Sequence, residues 1–256
     1  MTETGNKEKA KPLEPIWIPL NRPQADIRLL IAHHAGGSAG PYFKLAKALS
    51  PRIEPVLIEL PGRAARHNLP FFQDLGVAVA AISNALSTLP PKPTALFGHS
   101  MGGIIVYELS RILSAEGQHL PHLFLSAVRH PSYYRGTAPA GLLTDEWLHD
   151  RLRGHEGTPA AILENKAMME IFLPIYRADY TLLDAYSHVS QPKLKVAVTL
   201  LGGISDAEIS EKQLRQWQME CDRKVALEMF EGGHFYVHAP ENMNRLVDTI
   251  HRTLGL

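Results

Sequence analysis

The stretch Phe97-Gly98-His99-Ser100-Met101-Gly102-Gly103 decides the reading of this chain. It holds G-x-S-x-G directly after the β-rich run Thr94–Phe97 and directly before a helical pattern, Met101–Ser114. A serine on a sharp strand-to-helix turn is lifted clear of the sheet, and the amide that follows it lies at a helix N-terminus, where positive partial charge is available to an oxyanion. Gly98 and Gly102 leave the turn room, since a side chain at either is expected to meet the neighbouring strand or helix. A chance Gly–Ser turn is the plain alternative, and partners elsewhere in the chain are needed to exclude it.

Working outward, short apolar runs recur at Ile16–Ile18, Arg28–Ala32, Pro55–Leu60, Ala95–Phe97, Leu123–Ala127, Val196–Leu201 and Val225–Phe230. Helical patterns fall between them at Pro41–Leu49, Leu75–Leu86, Met101–Ser114 and Pro240–Leu254. Near-continuous apolar strands alternating with helices predict a mostly parallel sheet covered on both faces. The stretch from about Pro131 to Lys193 breaks the alternation. It carries Thr144–Gly154 and a long helical run from Leu163 to Tyr186 with Pro174 inside. At about sixty residues it exceeds an ordinary crossover, so residues 131–193 are expected to form a helical lid. Ordinary crossover helices are the alternative.

A serine hydroxyl needs a base, and the base needs an orienting carboxylate. Glu231-Gly232-Gly233-His234-Phe235-Tyr236 follows the last strand and makes His234 the candidate base. His238 lies deeper in the next segment, and His99 is expected to pack and hydrogen-bond beneath the turn. The acid is sought after the preceding strand, in Gly202-Gly203-Ile204-Ser205-Asp206. Asp206 is the candidate, Glu208 the runner-up and Asp184 an outsider. The order Ser100, Asp206, His234 is the order of the α/β-hydrolase fold. That fold is therefore predicted for residues 16–256, after a polar tail over residues 1–15 that is expected to be disordered. A second oxyanion donor is expected from the small-residue loop His33-His34-Ala35-Gly36-Gly37-Ser38-Ala39-Gly40, pairing the amides of Ala35 and Met101. The loop lacks the lysine and spacing of a phosphate-binding loop, and His33 and His34 lack further ligands at zinc-like spacing. No metal or cofactor is expected.

Bulk properties narrow the field. The 256 residues are 45% hydrophobic, enough for a core of one domain. Formal net charge is zero, which argues against nucleic acid as a partner. The one cysteine, Cys221, admits no intrachain disulfide. No apolar run approaches the roughly 20 residues needed to span a bilayer, and the first residues lack the apolar stretch of a signal peptide. A cytoplasmic monomer is the expectation.

Five segments in order resemble the type II thioesterases, the free-standing editing enzymes of nonribosomal peptide and polyketide synthesis. The family's P-x-A-G-G-S loop is here His33–Ser38, with His33 in place of proline. Its P-G-R-x-x-R segment is Pro61–Arg66, but Leu69 stands where an acid is common. Its G-H-S-M-G-G elbow matches at Gly98–Gly103. Its lid signature L-P-x-x-R-A-D-[FY] is Leu173–Tyr180, followed by Tyr186. Its closing W-x-x-x-T…G-G-H-F is Trp217, Cys221 in the threonine position, and Gly232–Tyr236. The resemblance implies hydrolysis of acyl thioesters from the phosphopantetheine arm of an acyl- or peptidyl-carrier protein, clearing stalled or misprimed groups. Leu173, Ile175, Tyr176, Tyr180 and Leu183 are candidates for an apolar face over the acyl chain. Arg63 and Arg66 are read first as a buried structural ion pair or a solvated face, with contact to an acidic carrier protein as the alternative. Arg177 and Asp179 are too close in sequence to pair with each other, and each is expected to fix the lid elsewhere. A chain-terminating acyl thioesterase, a carboxylesterase and a non-catalytic binding protein on the same scaffold are the rival readings.

Overall fold

The computed structural model describes residues 15–134, 143–154 and 163–256. Seven strands form one sheet: β1 Ile16–Trp17, β2 Ile27–Ala32, β3 Ile53–Ile58, β4 Thr94–His99, β5 Leu123–Ser126, β6 Val198–Gly203 and β7 Ala226–Phe230. Their spatial order is β1-β3-β2-β4-β5-β6-β7, with β1 antiparallel to β3 and every other pair parallel. All residues of β2 to β6 are buried, as expected of a sheet covered on both faces.

Successive side chains of a strand point to opposite faces, and the two faces build two cores. Leu30, Ala32, Val56, Ile58 and Leu96 pack under α2 (Leu75–Ser87) and α3 (Met101–Ala115). Leu29, Ile31, Leu57, Phe97 and Phe124 pack under α1 (Phe43–Ala48) and the last helix, Pro240–Leu254. That last helix opens on Pro240 at its first position and ends at Gly255 in the left-handed region, the asymmetry that helix ends favour.

Between β5 and β6 the described residues hold α4 (Asp145–Gly154) and α5 (Lys166–Ala185), the latter one continuous helix with Pro174 inside. The two halves of α5 have different roles. Met169 and Tyr176 pack with Leu148 and Leu152 of α4 in a small separate cluster, whereas Leu182 and Leu183 belong to the main core. The helix therefore roots the inserted segment in the sheet domain. A four-residue helix, α6 (Glu211–Leu214), and the 15-residue last helix, α7 (Pro240–Leu254), complete the described α-helices. Of the residues expected to form a disordered tail, 1–14 lie outside the described residues. Pro15 is buried, and its carbonyl accepts the Glu59 amide at 3.0 Å, extending the contact of β1 with β3.

Strand order reverses direction at β2: β3 lies on one side of it and β4 on the other. The loops leaving β2 and β4 therefore diverge and open a crevice at the carboxyl edge of the sheet, where ligands of open α/β sheets bind. Ala32 and Gly98 are register partners, so both loops start at one level. Among the described residues, no helix is long and apolar enough to cross a membrane.

Candidate active site

Ser100 sits at φ 55°, ψ −120°, between the end of β4 and the first turn of α3. Side chains rarely adopt this backbone conformation, and its strain marks a position held by its surroundings. The hold is steric and local. A Cβ on Gly98 would lie 2.2 Å from the Gly102 carbonyl oxygen, and one on Gly102 would lie 2.2 Å from the Ala32 oxygen. The Ser100 amide donates to the Ser126 carbonyl at 2.8 Å, which ties the turn to β5.

Asp206 follows β6 and His234 follows β7. His234 Nδ1 lies 2.8 Å from Asp206 Oδ2, and the Asp206 carboxylate is fully buried. Asp206 Oδ1 accepts the amides of Glu208 at 2.8 Å and Ile209 at 3.1 Å, so both oxygens are engaged and the carboxylate cannot rotate. It does not cap α6; Ser210 does that, with Gln213 closing a capping box. The runner-up Glu208 is bound to Arg151 at 3.1 Å and presents only its amide to Asp206.

Ser100 and His234 line one cavity of about 380 Å³ together with His34, Ala35, Tyr176, Tyr180 and Leu183. Leu173 and Ile175 do not line it; Leu173 packs against the α4–α5 cluster and Ile175 is buried. The Ser100 hydroxyl makes no hydrogen bond among the described residues. Such bonds are often long before substrate arrives. The amides of Ala35 and Met101 likewise donate to no protein acceptor among the described residues. Met101 is the first residue of α3, so its amide is one of the unsatisfied donors that every helix N-terminus presents.

His99 is fully buried beneath the turn, its Nδ1 2.8 Å from Ser126 Oγ, which in turn meets the Tyr236 hydroxyl at 2.7 Å. His238 packs its ring on Tyr42 and His34 and is not among the residues that line the cavity. Burial holds His33 and His238 down to about 4, and pushes His34 and His99 well below the ordinary histidine value. The folded chain therefore keeps these four rings neutral, whereas the unfolded chain protonates them near 6.5. The folded values are depressed, so this stability is present above about pH 6.5 and is lost as pH falls from there toward about 4. Urea denaturation is expected to show stability falling by at least about 1 kcal/mol per pH unit across that window, and a flat profile would contradict the arrangement.

Arg63 and Arg66 are buried, so of their sequence readings the structural one holds and the carrier contact does not. Arg63 is 3% exposed and pairs with Asp179, and Arg66 is 8% exposed with Nη1 donating to the Glu59 carbonyl. Arg177 meets Asp145 of α4 at the surface. The sequence reading missed several lining residues: Arg129, Tyr133, Tyr134, Trp147 and Arg151. Trp147 and Arg151 are four apart on α4 and share a helix face, with the guanidinium 5.8 Å from the indole ring, a signal the spacing did contain.

Known proteins are similar in fold and sequence. A Brevibacillus parabrevis protein named linear gramicidin dehydrogenase LgrE is 31% identical over 93% of this chain and 92% of its own. The gramicidin S biosynthesis protein GrsT of Aneurinibacillus migulanus is 30% identical over 84% of each chain. The solved structure of the type II thioesterase BorB, from the borrelidin biosynthetic cluster, superposes with a TM-score of 0.83 at 31% identity, covering 95% of this chain and 99% of that one. The family model for the thioesterase domain matches residues 27–254, which span β2 to the end of α7 and include the elbow, Asp206 and His234, and the chain thus belongs to the thioesterase family of α/β-hydrolases.

Proposed function

We propose that the chain is a type II thioesterase that removes acyl groups from the phosphopantetheine arm of an acyl- or peptidyl-carrier protein. The observation that carries this reading is the 2.8 Å bond from His234 to a fully buried Asp206, with His234 opening on the cavity that holds Ser100. The kinship with BorB and GrsT supports the biosynthetic setting, since one is a type II thioesterase of a biosynthetic cluster and the other a gramicidin S biosynthesis protein.

The chemistry follows from the residues. His234 takes the proton of Ser100 as its oxygen attacks the thioester carbonyl. The amides of Ala35 and Met101 hold the tetrahedral oxyanion, and Asp206 stabilises the imidazolium. The leaving thiolate departs, with the proton on His234 available to it. Water, deprotonated by His234, then frees the acid from the acyl-enzyme. The acyl group rests against Tyr176, Tyr180 and Leu183. At about 380 Å³ the cavity is near the small end of ligand sites, which suits a short acyl group and the tip of the arm.

The test compares one acyl group on three leaving groups: a carrier protein, coenzyme A and a simple aryl ester, followed by intact-mass spectrometry of the carrier and by thiol or phenol release. The carrier thioester is expected to have a kcat/KM at least ~10-fold above the others, the equivalent of ~1.4 kcal/mol of partner contact. An aryl ester turned over as well as the carrier thioester would overturn the reading.

A further inference from the structure

Asp179 of α5 has a fully buried carboxylate; one of its three hydrogen bonds comes from the loop that follows β2 and the other two from Arg63, which follows β3 and itself binds that loop. Oδ2 accepts the Gly36 amide at 2.7 Å, and Arg63 donates Nη1 to Oδ2 and Nη2 to Oδ1, each at 2.7 Å. The same Nη1 donates to the Gly37 carbonyl at 2.9 Å. One ion pair therefore grips both an N–H and a C=O of two adjacent glycines. Tyr176, one turn before Asp179 on α5, closes the loop from above; a Cβ on Gly36, which sits at φ +74°, would fall 2.4 Å from its ring.

The grip extends to the peptide that carries the Ala35 amide. The Gly37 amide donates to the His34 carbonyl at 3.0 Å, and His33 Nδ1 donates to the same oxygen at 2.7 Å. In a trans peptide the N–H points opposite to the C=O. Anchoring the His34 carbonyl from that side leaves the Ala35 N–H directed the other way, and Ala35 lines the cavity with Ser100. His33 is itself only 1% exposed and uncharged at neutral pH, so it does not compete with Arg63 for Asp179.

We infer that Asp179, with Arg63 as its counter-ion, is a positioning residue for the oxyanion site, holding the Gly36–Gly37 segment so that the Ala35 amide stays aimed at the substrate carbonyl. It touches neither substrate nor Ser100 and acts through the loop. This rests on the hydrolytic reading of Ser100 given above, and it adds that the inserted helix α5 sets the quality of the oxyanion site rather than merely covering it. The His33 substitution for the family's proline fits the same scheme, because its ring supplies one of the two donors that fix the His34 carbonyl.

The test uses Asp179→Asn, and Arg63→Lys as a variant that keeps both charges and gives up the two-pronged contact. Each is compared with wild type for the rate of inactivation by a fluorophosphonate, kcat and KM on an acyl thioester, and affinity for two ligands. One ligand is an alkylboronic acid, whose tetrahedral adduct uses the oxyanion donors. The other is a thioether analogue, which has no carbonyl. Asp179→Asn is expected to slow inactivation and lower kcat by ~10²-fold, within the range of losing one oxyanion donor, and to weaken the boronate similarly. KM, thioether affinity and the pH midpoint of kcat/KM are expected to stay within about two- to threefold or a few tenths of a pH unit. Arg63→Lys is expected to show a smaller loss of the same pattern and carries the test if Asp179→Asn does not fold. Unchanged inactivation and kcat in a folded variant, or equal losses for the boronate and the thioether, would overturn the inference. A wild type that fluorophosphonate does not modify at Ser100 would instead remove the hydrolytic reading and this inference with it.

Discussion

Replacing Ser100 with alanine is expected to lower kcat on an acyl thioester by about 10⁶-fold, to the level supported by binding and the oxyanion amides alone. Among the described residues, no other serine or threonine lines the cavity. Burial raises the pKa of Tyr134 and Tyr180, two of the phenols that line the cavity, and so keeps them protonated. Cys221, the one thiol, is buried beside Leu194 and held up at about 11. The fold is expected to survive, because Ser100 makes no side-chain hydrogen bond among the described residues and alanine keeps the same backbone demand at φ 55°. Thiol release measured on enzyme of unchanged thermal midpoint checks this; residual activity above about one per cent would contradict it.

Asp206→Asn is expected to cost about 10⁴-fold in kcat, and the reason is a tautomer rather than a lost charge alone. Oδ1 of Asp206 is fixed by the amides of Glu208 and Ile209, both of which require an acceptor. An asparagine must therefore keep its carbonyl oxygen there and turn its NH₂ toward His234. Nδ1 of His234 then becomes an acceptor, the ring proton moves to Nε2, and the nitrogen needed to deprotonate Ser100 is blocked. Glu208→Gln, two residues away and bonded to Arg151, is expected to change kcat by less than about tenfold. Equal losses in the two variants would show that the acid had been misassigned. The comparison is read from kcat at pH 7 to 8 on enzyme whose active sites have been counted.

The parts of the site that were legible in the sequence are those set by local sterics or by chain order. Gly98 and Gly102 could be read because each excludes a side chain within a few residues of the serine, and the contacts at 2.2 Å bear that out. Asp206 and His234 could be read because a parallel sheet delivers consecutive strand ends to one edge, so the order along the chain becomes an arrangement in space. The arginines were harder. Whether Arg63 faces solvent depends on Asp179, 116 residues away, and no pattern within Pro61–Arg66 reports that partner. A separation of 143 residues likewise hid the bond between Asp179 and the Gly36 amide, although both residues lie in motifs that stand out in the sequence. The inserted segment was legible as helical from its spacing, but its attachment was not. That Leu182 and Leu183 join the main core while Met169 joins α4 follows from how α5 lies across the sheet, and periodicity gives a helix's apolar face without saying what that face meets.

The central claim is that Ser100 becomes acylated during turnover. Rapid acid quench of the enzyme mixed with an acyl-loaded carrier protein, followed by peptide mass mapping, tests it most directly. The account predicts that the acyl mass resides on the peptide containing Ser100, on the timescale of the first turnover, and is absent from Ser100→Ala. Acyl mass on another residue, or turnover by Ser100→Ala at the wild-type rate with no adduct at position 100, would contradict it.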